Sequence, residues 1–113
     1  MFRGILSTIY LDLNNNISLK FVNSNLKKFY KNDIFVKILP INSSISTNDV
    51  INTNYCHISV CKSKYKNKLI ILSAIDNLIK GGAGQAVQNL NYYFEYNVKK
   101  GLIWKIYFLY SYY

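Results

Sequence analysis

Proline and histidine each occur once in this 113-residue chain, as Pro40 and His57, cysteine occurs twice and acidic residues only five times. Each scarcity excludes a class of chemistry. One histidine and two cysteines cannot build a zinc cluster, and the spacing of Cys56 and Cys61 fits neither a redox pair nor a zinc knuckle. On a single strand their odd spacing sends the two thiols to opposite faces, so no mutual disulfide is expected and a reducing compartment suits them. The four Asp and one Glu lie far apart, which leaves no carboxylate pair for acid–base work. No uninterrupted apolar run reaches membrane-spanning length, and no charged-then-apolar leader opens the chain. The expectation is a cytoplasmic protein with no membrane partner and no metal.

What is abundant is apolar and basic. Half of the residues are hydrophobic (50%) and 17% are charged, enough apolar surface to offset chain entropy in one domain or a piece of one. Fourteen Lys and Arg give a net charge of +9, a level that raises nucleic acid as a partner. The charges are scattered singly or in pairs, such as Lys27 and Lys28, among Asn, Ile, Tyr and Phe, all with A/T-rich codons. Base composition explains them, and nucleic acid is not an expected partner.

The chain alternates recognisable elements. Gly4 to Leu13 reads as a strand ended by three asparagines. Ser18 is an N-cap for a helix whose stripe is Leu19, Val22, Leu26 and Phe29. Ile34 to Leu39 is a short strand closed by Pro40, and Ile41 to Thr53 is a polar loop without period. Tyr55–Cys61 and Leu69–Ile75 form a hairpin across the Lys-rich stretch between them. A glycine step, Lys80-Gly-Gly-Ala-Gly84, then opens a second helix from Gln85 to about Glu95. The order β-α-β-β-β-α predicts an α+β fold, a mostly antiparallel or mixed sheet with two helices on one face.

Glycines after a strand and before a helix let a ligand approach helix N–H groups, but Gly81, Gly82 and Gly84 spell no dinucleotide fingerprint, and on spacing alone close packing is the better account. His57 beside Cys56 suggests a nucleophile and base, but neighbouring strand residues diverge, and a bland histidine is the better account. Asp76 reads as a turn residue. Tyr92, Tyr93, Phe94 and Tyr96 are of a type that stacks bases, yet aromatics crowded on a helix read as core.

Residues 69–91, Leu-Ile-Ile-Leu-Ser-Ala-Ile-Asp-Asn-Leu-Ile-Lys-Gly-Gly-Ala-Gly-Gln-Ala-Val-Gln-Asn-Leu-Asn, resemble the C-terminal signature of the N-acetyl-gamma-glutamyl-phosphate reductases. Arg3-Gly-Ile-Leu-Ser-Thr-Ile-Tyr10 is similar to the strand by which that family returns from its active-site loop. Phe35–Pro40 and Asn54–Val60 are similar to its intermediate strands. The related aspartate-semialdehyde dehydrogenases share the Asp-Asn-Leu-x-Lys-Gly opening but diverge at Gly84-Gln85 and Asn89-x-Asn91.

The resemblance implies a two-domain NADP-dependent oxidoreductase of arginine biosynthesis, with a Rossmann domain followed by an α+β catalytic and dimerisation domain. Residues 1–101 would be the later part of that second domain, with 102–113 a divergent aromatic tail, so the chain is expected to be a homo-oligomer-forming fragment. It implies that a cysteine thiolate attacks the acyl phosphate and that NADPH delivers hydride to give the semialdehyde. Both catalytic motifs would lie upstream, so no catalytic role falls on this chain. Lys80, Gly81, Gly82 and Gln85 are assigned to the cofactor and Arg3 to the acyl-phosphate substrate. A non-catalytic oligomerisation module is the alternative. Gly82 stands where the family commonly has Ala.

Overall fold

The computed structural model describes residues 2–14 and 17–103. Strand β1 (Ile5–Asp12) leads to helix α1 (Leu19–Phe29), a short strand β2 (Val36–Ile38), the hairpin β3 (Cys56–Lys62) and β4 (Lys68–Ile75), and finally helix α2 (Gly84–Tyr93). The four strands form one sheet in the order β1-β4-β3-β2. β4 runs antiparallel to both neighbours, while β2 and β3 are parallel, so the sheet is mixed. The α+β expectation holds.

Local chemistry accounts for the elements. Ser18 Oγ accepts from the Phe21 amide at 3.1 Å and caps α1, whose final turn carries Lys27 and Lys28 against the negative end of the dipole. The helix lies against β3 and β2, and its buried Asn23 donates from Nδ2 to the Leu39 carbonyl at 3.2 Å. The loop before β3, expected to be irregular, contains a 3₁₀ turn at Thr47–Asp49. It is closed by a capping box in which Ser46 Oγ accepts from Asn48 and the Ser46 amide donates to Asp49. That box is spaced as Ser-x-x-Asp, a variant of the usual Ser-x-x-Glu.

The apolar core is small, formed by Phe35, Val50, Val60, Leu69, Ala74 and Leu102. Two surfaces stay exposed. All eight residues of β1 are exposed, including Ile5, Leu6, Ile9 and Tyr10, so among the described residues this strand is paired on one edge and only partly covered on its faces. Helix α2 is inverted: Gly84, Gln88 and Asn91 face inward, while Val87, Leu90 and Phe94 face solvent. The aromatics expected in the core, Tyr92, Tyr93, Phe94 and Tyr96, are therefore on the outside, at 49% to 81% exposure. The cause lies in the inward face, where Asn91 Nδ2 holds the carbonyls of Val98 and Lys100 at 3.2 and 2.9 Å and orients the helix by hydrogen bonds. The aromatic tail beyond Ile103 lies outside the described residues.

Candidate site at the glycine turn

Directly after β4 stands Asp76, a fully buried carboxylate. Oδ1 accepts from the amides of Leu78 and Ile79 at 2.9 and 3.0 Å, and Oδ2 accepts from the Asn52 amide at 2.8 Å and pairs with Arg3 Nη2 at 2.9 Å. Burial by itself pushes this carboxyl up. The three backbone donors and Arg3 outweigh burial and hold it below the usual carboxylate range. Asp76 is thus a turn residue, as its position suggested, and also the centre of a knot. Arg3 Nη1 donates to Asn52 Oδ1 at 3.1 Å, and the Gly4 amide donates to Asn77 Oδ1 at 2.7 Å. The Nε–H of Arg3 is buried without a partner. Arg3, assigned to substrate from the sequence, has its guanidinium anchored at this knot.

The glycine step is a π-helical turn, Ile79–Ala83, continuous with α2. Several amides here are engaged locally. Gly81 N–H donates to the Asp76 carbonyl at 3.0 Å, Ala83 N–H to the Leu78 carbonyl at 2.9 Å, and Gly84 N–H to the Ile79 carbonyl. What the turn offers is bare backbone. Gly81, Gly82 and Ala83 are exposed, Gly82 departs from helical dihedrals (φ −149°, ψ −113°), and a side chain there would meet only the Asn77 carbonyl, at 3.5 Å. Gly84 is different. A Cβ at that position would sit 2.5 Å from Asn54 Oδ1 and 2.6 Å from Ile79 Cγ2, so this glycine serves packing. Beside it lies an apolar recess of 200 Å³ lined by Ile79, Ala83, Val87 and Leu102.

Lys80 stands on the turn and points inward. Its ammonium donates to Gln88 Oε1 at 2.9 Å and lies 5.6 Å from the centre of the Phe35 ring. Burial lowers its pKa, with Asp33 and Cys56 pulling weakly the other way. Gln88 Oε1 also accepts from Asn54 Nδ2 at 2.9 Å, while Asn54 Oδ1 is buried without a partner. Neither Gln88 nor Asn54 was singled out from the sequence, although both sit in segments that carry the family resemblance. Gln85 is partly exposed on the first turn of α2, its Nε2 donating to Asn89 Oδ1 at 2.9 Å. The turn thus gathers Gly81, Gly82 and Gln85 on the outside and directs Lys80 inward, with Arg3 on the far side of Asp76.

The remaining reactive groups are elsewhere. Cys56 Sγ lies 3.4 Å from Ser73 Oγ, Cys61 Sγ is 3.5 Å from Ser59 Oγ, and both thiols are free. His57 pairs across the sheet with Lys37, and its pKa is lowered by burial first and by Lys37 second, against a smaller pull from Asp49. Among the described residues no group of three or more His, Cys, Asp or Glu is assembled for a metal, and no helix is long and apolar enough to cross a membrane. A larger cleft of 690 Å³ follows the outer side of α1 past Leu13, Ile17 and Phe21, with Lys28 as its one charged group among the described residues.

Comparison with known proteins extends the picture. Residues 1–77 match the family model described as semialdehyde dehydrogenase, dimerisation domain. N-acetyl-gamma-glutamyl-phosphate reductases are among the similar curated proteins. That of Desulforamulus reducens is 50% identical over 91 residues, covering 80% of this chain and 26% of the relative. That of Clostridium kluyveri is 45% identical over 100 residues (88% and 29%), and that of Thermoanaerobacter pseudethanolicus 47% over 94 residues (83% and 27%). The chain spans between a quarter and a third of the length of these relatives.

Proposed function

Because the chain belongs to the semialdehyde dehydrogenase family, through its dimerisation domain, we propose that it supplies the C-terminal part of an N-acetyl-gamma-glutamyl-phosphate reductase. The whole enzyme would reduce the acyl phosphate with NADPH, releasing inorganic phosphate, NADP and the semialdehyde, as one step of arginine biosynthesis in the cytoplasm. The thiolate that forms the acyl intermediate would belong to the portion of the relatives outside this chain's span. Cys56, Cys61 and His57 receive no catalytic role.

The observation that carries this reading is the exposed glycine turn, held at the exit of β4 by a buried carboxylate and followed by a helix whose apolar side faces outward. The residues fit a cofactor in part. Bare backbone at Gly81 and Gly82 leaves room for a flat ring to lie close, and Gln85 has an amide group at the same edge. Lys80 would serve by holding the turn through Gln88 and not as a phosphate clamp. Bound there, NADPH would supply hydride. Arg3 retains N–H groups beyond those engaged by Asp76 and Asn52, and would lend positive charge to the acyl-phosphate side.

The outward apolar side of α2 suits packing against the rest of such an enzyme, and the exposed β1 suits a homo-oligomer. The alternative of a non-catalytic oligomerisation module is favoured by the same β1, since it needs nothing from the turn. One assay separates them. The chain is combined with the separately produced N-terminal portion of the Clostridium kluyveri relative, and phosphate-dependent reduction of NADP by the semialdehyde is followed at the absorbance of NADPH. Turnover above that of either piece alone supports the reductase. A complex that forms and stays inactive defeats it and leaves the oligomerisation module.

A further inference from the structure

The Asp76 carboxylate has two oxygens and two separate clients. Oδ1 holds the amides of Leu78 and Ile79, which begin the glycine turn, and Oδ2 holds Arg3 and the amide of Asn52. The group is fully buried, so neither oxygen can exchange a protein donor for water without opening the site. The strand start is fixed a second time by Gly4 N–H to Asn77 Oδ1 at 2.7 Å, so Arg3 and the turn belong to one rigid assembly. An Asx-type turn needs only one carboxylate oxygen for its amides. Here the second oxygen serves a cation from a segment 73 residues earlier in the chain.

We propose that Asp76 is a positioning residue that sets the Arg3 guanidinium and the glycine turn relative to each other, coupling the acyl-phosphate side of the site to the cofactor side. What the two clients contact rests on the reading above; the coupling between them rests on the hydrogen bonds alone. If Arg3 is removed, Oδ2 loses its charged partner and the carboxylate gains freedom to swing. The turn amides on Oδ1 then loosen although Arg3 never touches them.

The test has two arms. In the first, amide hydrogen exchange is followed by NMR on the chain alone. Arg3→Met is expected to speed exchange at Leu78 and Ile79 roughly tenfold, the size of one lost charge-assisted hydrogen bond, while the amides of the β3–β4 ladder keep their rates. Arg3→Lys, which retains the ion pair, restores most of the protection. Uniform acceleration across the sheet, or none at the turn, overturns the coupling. In the second arm the chain is completed with the relative's N-terminal portion. Arg3→Met should raise KM for NADPH as well as for the acyl phosphate, and Arg3→Lys should rescue the first more than the second. An unchanged KM for NADPH in Arg3→Met overturns the proposal. An inactive wild-type assembly defeats the reductase reading instead, and the exchange arm still decides the coupling.

Discussion

The Lys80 ammonium and the Asn54 amide converge on one atom, Gln88 Oε1, each at 2.9 Å. This three-residue junction sits where a helix would ordinarily bury leucine, and it joins the glycine turn, the loop before β3 and α2. Replacing Gln88 by Leu removes the acceptor and leaves Asn54, already lacking a partner at Oδ1, unpaired at both ends. A loss of about 2–3 kcal/mol is expected, since buried polar groups carry their full desolvation cost once unpaired. Urea unfolding of Gln88→Leu checks it. A midpoint equal to that of wild type would remove the junction from the account of stability.

The two glycines on either side of Ala83 should respond unequally to alanine. Gly84→Ala drives a methyl group into Asn54 Oδ1 and Ile79, and should destabilise by about 1–3 kcal/mol. Gly82→Ala meets one carbonyl at ordinary contact distance and should stay within roughly 0.5 kcal/mol of wild type. Thermal melts of both variants under one buffer compare them directly.

Acid should unfold the chain in two stages. His57 has a lowered pKa when folded, so protonation favours the unfolded state, and stability falls as the pH drops below its unfolded value of about 6.5. Asp76 is also lowered. The stability it contributes is whole above about pH 3.9 and is lost as the pH falls further, toward its folded value. Urea midpoints from pH 7 to pH 3 should decline through both windows. His57→Gln should flatten the upper one and Asp76→Asn the lower. A profile unaltered by either substitution contradicts the assignment.

Val87→Lys and Leu90→Lys place charge on the outward side of α2, where the wild-type side chains are 37% and 52% exposed. The folded chain should lose less than about 0.5 kcal/mol, as for other exposed positions. Association with the relative's N-terminal portion should weaken by at least roughly tenfold, because a lysine buried in an apolar contact is strongly disfavoured. Sedimentation of the mixed pieces measures it, and equal affinity in both variants would mean that this side of α2 is not the docking surface.

Much of the fold is legible in the residues. The apolar and β-branched segments at residues 5–12, 56–62 and 68–75, the Ser18 cap and the helical spacing of the α1 stripe are legible, because each is stated by local residue preference alone. The parallel pairing of β2 with β3 is not legible, since three residues of β2 carry no pattern and the connection to β3 has no period. The orientation of α2 is hidden for another reason. The aromatics Tyr92, Tyr93, Phe94 and Tyr96 read as core, while hydrogen bonds of Gln88 and Asn91 turn those two polar residues inward instead. The candidate site was visible as a glycine step and an arginine. The buried carboxylate linking them was not, because nothing local distinguishes Asp76 from an ordinary exposed turn aspartate.

The edge strand carries a consequence for how the molecule behaves in a tube. With its side chains only partly covered among the described residues, β1 returns less burial energy to an isolated chain than an inner strand does, and its apolar residues gain the rest when another surface closes over them. The melting temperature should then climb with protein concentration, and simple dilution should act on this chain as urea does on others.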